Sequence, residues 1–231
     1  MPPVLRHTIT DVFFDLDHTL WDFEKNSALA FQKLFQDFDI KIPLEEFLKF
    51  YEPINLQYWK LYREDQISKE NMRHHRLTDT FALLNREFPL ELINTLAEKY
   101  IDYLPLNNHL LPGAVEILEH LKPRYRLHII TNGFEEVQNR KLIHSGIDHY
   151  FHTVTNSERV GVKKPNPEIF RYALNLAQTT PRQSIMIGDN LEADIIGAEA
   201  LGFHTIHFAT QQPAPANRLT LSCLTHIKNF L

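Results

Sequence analysis

The sequence predicts an α/β protein: a doubly wound parallel sheet carrying an inserted all-helical domain. Three observations lead there. From residue 112 onward, short apolar β-rich runs alternate with helical patterns, the rhythm of βαβ units. The run "DVFFDL" near the N-terminus supplies one more strand. Between them, residues 21 to 105 show helical periodicity and no strand pattern. The predicted division is therefore a core made of residues 1–20 and 106–231 and a helical domain of residues 21–105.

Taken in order, "DVFFDL" is apolar at nearly every position, as a central strand covered on both faces should be. The helical stretch follows. Ala28, Phe31, Leu34, Phe35 and Phe38 keep a helical spacing, as do Phe47, Tyr51, Ile54, Tyr58 and Leu61, and again Leu92, Leu96 and Tyr100. Asn26, Pro43 and Ser68 are the predicted helix starts. Pro112 opens a helix at 112 to 121, and "RLHIIT" (126–131) is the next strand. Gly146 closes the helix after it, and "FHTVT" (151–155) is a third strand. Pro167 starts another helix, "SIMIGD" (184–189) is a strand, Gly202 ends a helix, and "HTIHFA" (204–209) is the last predicted strand. Removing the helical stretch joins residue 20 to the helix at 112, which makes an ordinary βαβ unit. The insertion therefore grows from the loop after strand one, at the carboxyl edge where open α/β sheets bind ligands, and is expected to act as a lid.

Composition narrows the function classes. The chain has 231 residues, 43% hydrophobic and 23% charged, with a formal charge of −5. That balance offers no clustered basic surface for a nucleic-acid polymer or an anionic membrane. A single cysteine, Cys223, excludes an internal disulfide and a Cys-based zinc site. No secretory signal pattern and no membrane-length apolar run is visible. A cytoplasmic protein is expected, acting on a small molecule as a monomer or small homo-oligomer.

Four short segments fall on the carboxyl edge of the predicted sheet: "DLDHT" (15–19), "TNG" (131–133), "VGVKKP" (160–165) and "GDNLEAD" (188–194). Each by itself has an ordinary reading. "DLDHT" could be a strand exit with turn-forming aspartates, "TNG" a turn, "KKP" a solvated loop and "GDNLEAD" a helix cap through Asp189 or Asn190.

Together, in this order and placement, they resemble the four motifs of the haloacid dehalogenase-like (HAD) superfamily of phosphohydrolases, with its Rossmann-like core. The helical insertion sits where that family carries its type 1 cap. The resemblance implies an aspartyl-phosphate mechanism: Asp15 as nucleophile, and Asp17 as the acid that protonates the leaving oxygen and later deprotonates water. It implies a magnesium ion held by Asp15, the Asp17 carbonyl and Asp189, with Asp194 and Thr19 supporting from behind. Thr131, with the Asn132 amide nearby, would donate to phosphate oxygens. Lys164 would offset charge on Asp15 and the phosphoryl group, and is preferred to Lys163 because the family's lysine precedes a proline. The cluster contains no His or Cys, and an all-oxygen set suits magnesium rather than zinc.

A bound cation also explains how two carboxylates so close together can divide the work, by keeping Asp15 ionised while Asp17 carries a proton. "DLDHTLWDFEKNS" and "GVKKPNPEIF" look like the pyrimidine 5'-nucleotidase-like subgroup, which implies pyrimidine nucleoside 5'-monophosphates as substrates. A sugar-phosphate or phosphoglycolate phosphatase and a phosphosugar mutase stay open. A 2-haloacid dehalogenase would leave Asp17 and Asp189 without a task. A phospho-accepting receiver would be shorter, and a retired regulatory member would not need the full set of polar side chains. Of the other residues noted, His18 reads as a loop histidine, His74 and His75 as surface, and Trp59 as core of the helical domain. Trp21 is left between core and substrate contact.

Overall fold

The structure is a computed structural model and describes residues 8–209 and 218–231. In chain order its elements are β1 (Asp11–Phe14), α1 (Phe23–Asp37), α2 (Leu44–Arg63), α3 (Lys69–Leu83), α4 (Leu90–Tyr103), α5 (Ala114–Leu121), β2 (Arg126–Thr131), α6 (Glu135–His144), β3 (Phe151–Asn156), α7 (Ser157–Val160), α8 (Pro167–Ala177), β4 (Ser184–Gly188), a π-helical turn (Leu191–Ile196), α9 (Gly197–Glu199), β5 (His204–Phe208) and β6 (Thr220–Leu221). The chain forms two compact units. One runs to Phe23 and resumes at Asn108; the other is Glu24–Asn107.

The first unit is the α/β body. Its sheet has the order β3-β2-β1-β4-β5-β6, and every neighbouring pair is parallel. Strand β1 is buried at all four positions and β4 at all five, which is why both read as unbroken apolar runs. The chain moves outward from β1 through β2 to β3, then returns to β4 on the other side of β1. Such a reversal leaves a crevice at the carboxyl ends of the strands. Across it, the Asp15 amide donates to the Ile187 carbonyl at 2.9 Å, tying the exit of β1 to β4. Helix α8 covers one face: Ile169, Phe170, Ala173 and Leu174 pack with Phe13, Ile130 and Met186 in a common core.

The second unit is all-helical. Its centre is aromatic, with the Phe31 ring 4.8 Å from Phe47, 4.5 Å from Tyr51 and 4.4 Å from Tyr100, and Phe47 5.3 Å from Phe81. Arg76 is buried among them, donating to Asn55 Oδ1 at 2.9 Å and lying 4.9 Å from the centre of the Tyr100 ring. Ser68 caps α3 by accepting from the Asn71 amide, and Pro43 precedes α2. Asn26 does not start its helix. Helix α1 begins three residues earlier, with Glu24 in its first turn, and Asn26 is buried inside it. An acidic residue there suits the positive end of the helix dipole. Trp59 is half-buried against Tyr62. Among the described residues no helix is long and apolar enough to cross a membrane.

Candidate active site

The loop after β1 carries two acids that go to different partners. Asp15 is nearly buried, and its Oδ1 accepts from Lys164 Nζ at 2.6 Å. The same ammonium lies 2.6 Å from Asp194 Oδ1 and donates to the Ile130 carbonyl at 2.7 Å. Lys164 is 2% exposed. An ammonium so deeply placed demands anionic partners, and it has two. Lys163, its neighbour, is half-buried.

Asp15, Asp189 and Asp194 each bring a carboxylate oxygen within 4.8 Å of the others. Thr19 holds Asp189 from both sides: its hydroxyl donates to Oδ1 at 3.3 Å and accepts from the Asp189 amide at 3.1 Å. The threonine therefore links β1 and β4 as well as bracing its own turn. Asp194 reaches back from the π-helical turn to accept from the Asn190 amide at 3.0 Å. Asn190 is the residue that caps this turn, accepting from the Ala193 amide at 2.9 Å. The approach of Asp194 needs Gly188, because a Cβ there would lie 2.3 Å from Asp194 Oδ2.

Burial raises the pKa of Asp15 well above the usual carboxylate range; Lys164 pulls it down, while Asp194 and Asp189 push it further up. Asp189 is pushed up to about 8, by burial first and then by Asp194. Lys164 is lowered by burial but raised more by Asp15 and Asp194, for a net rise. Three carboxylates facing one ammonium leave a deficit of positive charge. The donor set fits a hard divalent cation, which prefers carboxylate oxygens.

Asp17, two residues on, is gripped by α6. Lys141 Nζ donates to its Oδ1 at 2.5 Å and Gln138 Nε2 to its Oδ2 at 2.9 Å. Its carboxylate is not part of the group formed by the other three acids. Thr131 at the end of β2 is buried, and its hydroxyl oxygen accepts from the Gly133 amide at 3.1 Å and Gln138 Nε2 at 2.7 Å. With both accepting directions used, its proton is available to donate. Asn132 follows Thr131 directly. Its carboxamide accepts from the Lys164 amide at 2.8 Å and donates to the Lys164 carbonyl at 3.0 Å, so the side chain positions the lysine loop.

His18 adopts a left-handed backbone (φ 61°) and its ring lies 4.9 Å from Phe23. Trp21 is fully buried, with its indole N–H donating to Ser145 Oγ at 3.2 Å and its face 4.2 Å from Lys141 Nζ. It is a platform beneath the lysine. Gln138 and Lys141 were not singled out from the sequence. Their signal was two polar residues three apart on a helix face that also carries Val137 and Leu142.

Comparisons with known proteins agree with this architecture. Residues 12–208 match the family model described as haloacid dehalogenase-like hydrolase. Over 225 residues the chain is 33% identical to the pyrimidine 5'-nucleotidase YjjG of Escherichia coli (strain K12), covering 95% of this chain and 96% of that protein. It is 34% identical over 203 residues to a glyceraldehyde 3-phosphate phosphatase of Methanothermobacter thermautotrophicus, covering 84% and 83%. Among solved structures, the magnesium-bound HAD-hydrolase YfnB from Bacillus subtilis aligns with a TM-score of 0.86 at 27% identity, over 96% of this chain and 97% of that one.

Proposed function

The chain belongs to the haloacid dehalogenase-like hydrolases, and from that premise we propose that it is a magnesium-dependent phosphomonoesterase of the cytoplasm acting on pyrimidine nucleoside 5'-monophosphates. The observation that carries the chemistry is the split between the two acids of one loop. Asp15 lies with Lys164, Asp189 and Asp194, while Asp17 is held apart by two donors of α6.

In this reading an oxygen of Asp15 attacks phosphorus and the bond from phosphorus to the ester oxygen breaks. The electron pair goes to that oxygen, which takes a proton from Asp17. Asp17 then removes a proton from water as the water oxygen attacks the aspartyl-phosphate, and the bond from phosphorus to Asp15 breaks. Lys164 and the Thr131 hydroxyl offset charge on the phosphoryl oxygens, the kind of fixed stabilisation that contributes most to such reactions. Asp15, the Asp17 carbonyl and Asp189 would hold magnesium, with Asp194 fixing the set from behind. The ion supplies positive charge to the phosphoryl group and to the crowded carboxylates. Halide displacement from carbon gives Asp17 and Asp189 no task.

The nucleotide preference rests on the 33% identity to a pyrimidine 5'-nucleotidase. A small sugar-phosphate substrate is the second reading, favoured by the 34% identity to a glyceraldehyde 3-phosphate phosphatase. Phosphate release across pyrimidine and purine monophosphates, triose phosphates and phosphoglycolate, with magnesium or with EDTA, separates them. Turnover that is lost in chelator, restored by magnesium and highest on dUMP or dTMP is expected. Highest turnover on glyceraldehyde 3-phosphate replaces the first reading with the second, and full turnover in EDTA removes the metal. Asp15→Asn should lower turnover by about 10⁴-fold or more, the scale seen when a nucleophile is removed.

A further inference from the structure

Lys141 is 2% exposed and Gln138 1%, and both project from α6 onto one carboxylate. A buried ammonium costs several kcal/mol unless it is paired. Lys141 has Asp17 Oδ1 at 2.5 Å, and the rings of Trp21 and Phe23 at 4.2 and 5.3 Å. Trp21 is itself fixed through Ser145 on the same side. Gln138 uses one amide nitrogen twice, donating to Asp17 Oδ2 and to Thr131 Oγ1. Its orientation follows from Asp17, since only the NH₂ end can donate to a carboxylate. Room for it comes from Gly133, where a Cβ would lie 2.3 Å from Gln138 Nε2. One donor on each oxygen fixes both the position and the plane of the carboxylate, which a single ion pair does not. The same glutamine sets the spacing between Asp17 and Thr131, the residue assigned to the phosphoryl group.

We propose that Gln138 and Lys141 are positioning residues that aim the Asp17 carboxyl at the ester oxygen, so that the chain can expel poorly departing alcohols such as the 5'-hydroxyl of a nucleoside. This rests on the reading of Asp17 as the acid and base of a phosphomonoesterase. A simple packing role would slow all esters alike. An aiming role matters most where the leaving oxygen needs a proton, and little for p-nitrophenolate, which departs without one.

The test is single-turnover and steady-state kinetics of Lys141→Met on dUMP and on p-nitrophenyl phosphate. First-turnover cleavage of dUMP should fall by about 100-fold, as for a misplaced catalytic group, while that of p-nitrophenyl phosphate falls by no more than about 3-fold. Steady-state turnover of both should drop, because water activation also uses Asp17, so p-nitrophenolate should appear as a burst. Lys141→Arg should recover part of the loss on dUMP. Gln138→Met should show the same leaving-group dependence, and it carries the test if the lysine variants do not fold. Equal loss on both esters in the first turnover, or no loss on either, overturns the proposal. Asp17→Asn run in parallel distinguishes the two failures. If it shows the leaving-group dependence and the α6 variants do not, the positioning role falls and the acid-base reading stands. If Asp17→Asn lacks it too, or the wild type cleaves neither ester, the underlying reading falls first.

Discussion

Asp189 is an acid whose native proton affinity is raised, to about 8, by burial and by the Asp194 carboxylate beside it. An acid raised in the folded state favours folding while it is protonated. That contribution is complete below the unfolded value of 3.8 and is lost as pH rises toward about 8. Metal-free protein should therefore lose thermal stability on the alkaline side, as pH rises from about 7 to about 8. A divalent cation in the carboxylate cluster replaces the proton as the source of positive charge, and should flatten that slope. Melting curves across this range, with EDTA and with saturating magnesium, test it; equal slopes in both would count against cation binding by these residues.

At the scale of elements, helix ends depend on single residues. Ser68 accepts from the Asn71 amide at 3.1 Å and is the only side-chain cap among the three caps described for α2, α3 and α4. Ser68→Ala should cost about 1 kcal/mol of stability, measured by urea unfolding, and Ser68→Asp should retain most of it. This cap was legible because its signal is local: a short polar residue immediately before a helical period. Strands β1 and β4 were legible for a related reason, since burial on both faces leaves an unbroken apolar run. Other features were not, because their causes lie far away in sequence. Asn26 reads as a cap in isolation, yet it is buried within α1. Strand β6 has two residues, too few for any period, and exists through pairing with His207 and Phe208. The choice of Lys164 over Lys163 depends on which side chain enters the space between Asp15 and Asp194. Gln138 and Lys141 interrupt the apolar stripe of α6, a departure that acquires meaning only once Asp17 is seen against it.

Across the α/β unit, the two ends of β1 carry titrating clusters with opposite signs. At the amino end, Asp11 is fully buried, with Arg126 2.8 Å away and His128 Nε2 3.0 Å away. Burial raises the Asp11 carboxyl, but His128, Thr10, Thr179 and Arg126 outweigh it and the net shift is downward. Burial lowers His128 more than Asp11 raises it. A histidine lowered in the folded state supports the fold while neutral, and that support is lost as pH falls below its unfolded value of 6.5. Asp11 adds a further loss below 3.8. The cluster at the carboxyl end has the reverse dependence when no cation is bound, so metal-free protein should show a stability maximum at intermediate pH. Magnesium should lift only the alkaline side. His128→Gln, which keeps a donor for Asp11 but no titrating ring, should flatten only the acid side between pH 7 and 5, with each kcal/mol recovered appearing as roughly 2–4 °C in Tm. Measured with magnesium saturating, the wild-type slope on the acid side isolates His128. An unchanged slope in the glutamine variant would place the acid sensitivity elsewhere in the unit.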